Sequence, residues 1–66
     1  MINELELIAK DLNKLFESIS VVQKNIVLVE PTEKFKFTQK SDAVLFLNKA
    51  LDNIHRTSEI INRALF

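Results

Sequence analysis

The chain contains no cysteine and no glycine, a single proline, and neither tryptophan nor tyrosine among its 66 residues. Without cysteine there are no disulfides and no thiolate metal sites. Without glycine, the phosphate-cradling P-loop, the dinucleotide-binding fingerprint and the EF-hand calcium loop are all excluded, because each needs glycine at fixed positions. A turn-rich all-β architecture also lacks its materials. Nor does one sign of charge dominate. Nine basic and nine acidic residues cancel, which removes the electrostatic footprint of a nucleic-acid binder or of a basic helix lying on a membrane. The longest apolar runs, residues 26–29 and 43–47, are far too short to span a bilayer. Glu4 and Glu6 stand where the basic segment of a secretory leader belongs, so a soluble, intracellular and cytoplasmic protein is expected.

What is present is apolar and compatible with helix: 47% of the residues are hydrophobic. A chain of this length makes one domain at most, spanning residues 1–66, and buries a small fraction of its surface. Ordering costs roughly 1.5 kcal/mol per residue, and small scaffolds usually offset it with disulfides, a metal or oligomerisation. With no thiols, association with a partner is the route left open.

From Leu5 to Val29 the apolar residues Leu5, Ile8, Leu12, Leu15, Ile19, Val22, Ile26 and Val29 alternate in steps of three and four. This is a heptad seam, and with Ala9, Phe16 and Val27 it widens to a stripe of about 140° on a helical wheel. The opposite side carries Glu6, Lys10, Asn13, Lys14, Glu17 and Lys24. Asn3 is an available N-cap, and Glu4 and Glu6 suit the positive end of the helix dipole. The pattern predicts a helix over about 3–29, stopped at Glu30-Pro31 because proline disfavours helical geometry in the residue before it.

Residues 31–41 read as a polar connector interrupted by Phe35 and Phe37, with Ser41 as N-cap and Asp42 in the first turn of a second helix over 42–65. That helix carries Ala43, Val44, Phe46, Leu47, Ala50, Leu51, Ile54, Ile60, Ile61, Ala64 and Leu65 on an arc of about 200°, wider than one neighbouring helix covers. Ala43, Ala50, Thr57 and Ala64 recur every seven residues, which permits a partner backbone to approach closely there. A rival for the middle is a short β-hairpin over 26–38, since three of residues 26–29 are β-branched, Phe35–Thr38 alternates and Pro31–Lys34 could turn between them. The continuous heptad register through Ile26 and Val29 favours helix.

Three groups of residues could carry chemistry. Asp52, His55 and Glu59 share one side of the second helix, a spacing that a metal-dependent enzyme assembled by oligomerisation would use. Asp52 with Arg56 and His55 with Glu59 are equally ordinary i, i+4 surface pairs. Ser18, Ser20, Ser41 and Ser58 lack the pocket and adjacent base that nucleophilic catalysis requires, so no catalytic residue, metal or cofactor is expected and the chain reads as a non-enzyme. Lys34, Lys36 and Lys40 interleaved with Phe35 and Phe37 form the one basic, aromatic stretch, the kind that stacks single-stranded nucleic acid. A nucleic-acid-binding regulator using residues 34–40 is therefore the alternative function, although Glu33 and Asp42 interrupt the stretch.

The reading favoured on these grounds is an all-α, two-helix antiparallel hairpin that completes a three- or four-helix bundle or coiled coil by oligomerisation. Its function would be that of an assembly subunit or small chaperone, forming a homo-oligomer or a hetero-complex with other helical chains. The expected partner-binding residues are Leu5, Ile8, Leu12, Leu15, Ile19 and Val22 of the first helix, Phe35 and Phe37 of the connector, and Val44, Phe46, Leu47, Leu51, Ile54, Ile61 and Leu65 of the second. Leu7, Val21, Leu28 and Leu45 lie off these stripes and would leave further apolar surface in water.

Overall fold

The computed structural model describes residues 3–66 and consists of two helices, α1 (Glu4–Leu28) and α2 (Phe37–Leu65), packed against each other. At 1.5 Å per residue, α1 with 25 residues and α2 with 29 are about 38 and 44 Å long. The Cα envelope measures 53 × 17 × 13 Å. The molecule is thus two helices wide and one helix thick.

Asn3 starts α1 as expected: its side-chain Oδ1 accepts a hydrogen bond from the Leu5 N–H at 2.9 Å, with Glu4 and Glu6 in the first turn. This occupies one of the orphan donors that every helix N-terminus exposes. The helix ends at Leu28, before Pro31 itself. Val29 is extended, with φ −75° and ψ 127°, and its N–H donates to the Ile26 carbonyl at 3.0 Å. The Val29 carbonyl in turn accepts from the Lys40 ammonium at 2.8 Å, so a lysine of α2 caps the negative end of α1.

The second helix begins at Phe37 rather than at Asp42, and the connector comprises residues 29–36 rather than 31–41. The cause is a cap that composition did not advertise: the Gln39 side-chain oxygen accepts from the Lys36 N–H at 2.8 Å. This is the half of a capping box supplied by the third helical residue. Ser41, the expected N-cap, and Asp42 therefore lie inside α2. Upstream, Thr32 donates its N–H to the Phe35 carbonyl at 2.8 Å and accepts from the Phe35 N–H through Oγ1 at 3.0 Å. The chain reverses in a tight turn, and the connector falls in the usual range of helical hairpins.

No strand occurs among the described residues. The β-hairpin over 26–38 is excluded, because residues 26–28 complete α1 while Phe37 and Thr38 open α2. The antiparallel register is marked by the Gln23 amide donating to the Asn48 side-chain oxygen.

None of the described residues is fully buried. Between the helices, Leu5, Ala9, Leu12, Ile19, Gln23 and Ile26 of α1 are half-buried, as are Val44, Leu47, Leu51, Ile54, Ser58, Ile61 and Leu65 of α2. Two helices have one contact line and no second layer, and a domain core needs elements packed around it. The hairpin has a seam but no interior.

Candidate partner-binding face

The heptad row expected on α1 is divided by the structure. Leu5, Leu12, Ile19 and Ile26 turn toward α2 and are half-buried. Ile8, Leu15, Val22 and Val29 remain 44%, 47%, 48% and 45% exposed. The row Leu5, Leu12, Ile19, Ile26 has a flank on each side: Ala9, Phe16, Gln23 on one and Ile8, Leu15, Val22, Val29 on the other. A single neighbour can cover the row and one flank. The flank turned toward α2 holds half-buried Ala9 and Gln23, whose amide finds Asn48, while Phe16 between them stays 37% exposed; an amide left unpaired at a contact would carry a desolvation cost. The large aliphatic flank is left outside.

On α2 the expected residues Val44, Leu47, Leu51, Ile54, Ile61 and Leu65 are all half-buried along the seam. Ser58 continues their spacing where the sequence has no apolar residue. Beside this seam runs the small row, in which Ala43 and Ala50 are half-buried and Thr57 and Ala64 exposed. The Thr57 hydroxyl donates to the Asn53 carbonyl at 2.9 Å, so this position has no unpaired donor to hide. Farther round, Phe46 and Ile60 stand 63% and 66% exposed, with the Lys49 ammonium 5.4 Å from the centre of the Phe46 ring. That approach is within reach of a cation–π contact.

The Gln23–Asn48 pair marks the register of the hairpin. To within one residue, Ile8 lies level with Ala64, Leu15 with Thr57, Val22 with Ala50 and Val29 with Ala43. One side of the hairpin is therefore a groove with a wall of large aliphatic side chains on α1 and a floor of small ones on α2. No charged residue belongs to either row. The opposite side is polar: exposed Glu6 and Asn13 and half-buried Ser20 on α1 are matched by exposed Ser41, Asn48, His55 and Asn62 on α2. Part of that side forms an open cleft lined by Asn13, Phe16, His55, Ser58, Glu59 and Asn62.

The remaining candidates are dispersed by the fold. His55 Nε2 lies 2.9 Å from Glu59 Oε1, and Arg56 Nε lies 3.1 Å from Asp52 Oδ2. Asp52 is thus paired away from the other two, and no group of three potential ligands converges among the described residues. Exposed pairs of this kind contribute about 0–1 kcal/mol. In the connector, Phe35 is half-buried and Lys40 is engaged by the Val29 carbonyl, while Lys34, Lys36 and Phe37 face solvent.

No protein-family model, no curated protein and no solved structure matches the chain. Among the described residues, no helix is long and apolar enough to cross a membrane.

Val29 and Ile60 belong to the exposed apolar face although they stand outside the partner-binding set expected from sequence. The spacing of 8, 15, 22 and 29 was the available signal for the first. Nothing in the sequence singles out Ile60 within the broad arc of α2.

Proposed function

We propose that the chain is a helical assembly subunit, which acts by packing its open apolar face against partner helices. One observation carries this reading: the hairpin leaves no described residue buried while a continuous row of large aliphatic side chains stays in water beside a row of small ones. Monomeric proteins rarely expose contiguous apolar patches larger than a few hundred Å² without using them. The arrangement supports completion of a bundle, in which each helix contributes three apolar positions per heptad to the core. Association supplies the second layer that the fold lacks.

The test is a pair of substitutions on the outward row. Leu15→Glu with Val22→Glu places two carboxylates where a partner helix would sit, and each must be desolvated on contact. Association is expected to weaken at least about a hundredfold, which corresponds to roughly 2.7 kcal/mol. In an affinity capture from the native cell, the chain should retain a stoichiometric complex that the double variant loses. At concentrations low enough to dissociate the unsubstituted chain, both should show equal helical content by circular dichroism. Capture of the same complex by the variant would contradict the proposal.

A further inference from the structure

We infer that the occupant of the groove is a second copy of this chain, so that two hairpins form a four-helix bundle about a two-fold axis parallel to the helices. The inference rests on the assembly reading above and names its partner.

The chain exposes 5517 Å², whereas a compact folded monomer of its 7.6 kDa mass exposes about 4,300 Å² on the scaling of surface with mass. The excess is about 1,200 Å² on that scale. Hiding it on both copies gives an interface of about 2,400 Å² in total, inside the range of roughly 2,000–5,000 Å² found for obligate dimers.

The two rows of the groove also match each other. A two-fold axis along the bundle keeps each level of one hairpin beside the same level of its partner and exchanges the helices. The α1 wall of each copy then lies on the α2 floor of the other. Leu15 meets the small Thr57 and Val22 meets the small Ala50 of the second copy, and the same contacts recur by symmetry. Both rows are satisfied at once, large against small, as close packing requires. A two-fold axis across the bundle would instead set wall on wall and floor on floor, crowding one pair and leaving a void beside the other.

The chain has a formal net charge of zero, so bringing two copies together meets no net repulsion. The side of the hairpin that would stay in water is the one lined by Glu6, Asn13, Asn48, His55 and Asn62.

The experiment uses the full chain in two parts. Light scattering on the purified protein should give twice the chain mass of 7.6 kDa. A Val22→Cys chain mixed with an Ala50→Cys chain should then oxidise to a disulfide-linked heterodimer in preference to either linked homodimer. A linked Val22→Cys homodimer as the main product would place α1 on α1 and overturn the proposed axis. A folded protein of single-chain mass at high concentration would overturn self-pairing. If that monomeric chain still captures other helical proteins through Leu15 and Val22, only the second copy is ruled out, whereas failure of both measurements would remove the assembly reading as well.

Discussion

Replacing Leu12 and Ile19 together with aspartate is expected to abolish the helical hairpin at every concentration, seen as loss of most of the far-ultraviolet circular dichroism. Both residues lie half-buried in the seam between α1 and α2. Each substitution removes part of the roughly 1.5–3 kcal/mol that full burial of a large aliphatic side chain supplies. It also leaves a carboxylate against apolar surface, at a further cost of about 1–3 kcal/mol. Together the two changes cost about 4–8 kcal/mol on those magnitudes. A chain of this length has roughly 3–10 kcal/mol of stability at the usual 0.05–0.15 per residue. A folded double variant would show that the seam is not what holds the helices. The contrast with Leu15 and Val22 is informative, because those lie on the same helix and differ from Leu12 and Ile19 in the neighbour they face.

The second large effect concerns the floor of the groove. Thr57 is exposed in the hairpin and its hydroxyl is already satisfied by the Asn53 carbonyl, so Thr57→Arg should leave the isolated hairpin unharmed. In the paired state the longer side chain enters the space that the Leu15 side chain of the second copy fills. Overpacking costs about 1–3 kcal/mol per site, and the two-fold arrangement applies it twice. The dissociation constant should therefore rise about a hundredfold or more, since each 1.4 kcal/mol is a factor of ten. Sedimentation velocity on the variant and the unsubstituted chain reads this directly. Unchanged association would mean that the small row lies outside the interface.

The helical class and the pairing of the two helices could be read from sequence because they depend on periodicity, and the apolar spacing from Leu5 to Ile26 has only one regular solution. The start of α2 could not. Lys36 is an unusual N-cap, and the cap works through the Gln39 side chain reaching back to its N–H, a contact that residue preferences alone do not reveal. The end of α1 is similar, since Lys40 caps Val29 from the other helix. For the face, the sequence showed an apolar surplus, but not which half of the α1 row would remain outside. That division turns on the Gln23–Asn48 pair and on the small size of Ala9, which become visible only when the register of the two helices is known.

The central claim is that the hairpin is incomplete and gains its stability by covering the groove. Thermal unfolding of the purified chain over a roughly hundredfold range of concentration tests it, because a state stabilised by association melts at a temperature that depends on concentration. The midpoint is expected to climb steadily as the chain is concentrated, because pairing adds to the stability of a hairpin that is marginal by itself. A midpoint that stays constant across that range, with a sharp transition, would show that the two helices suffice by themselves and would contradict it.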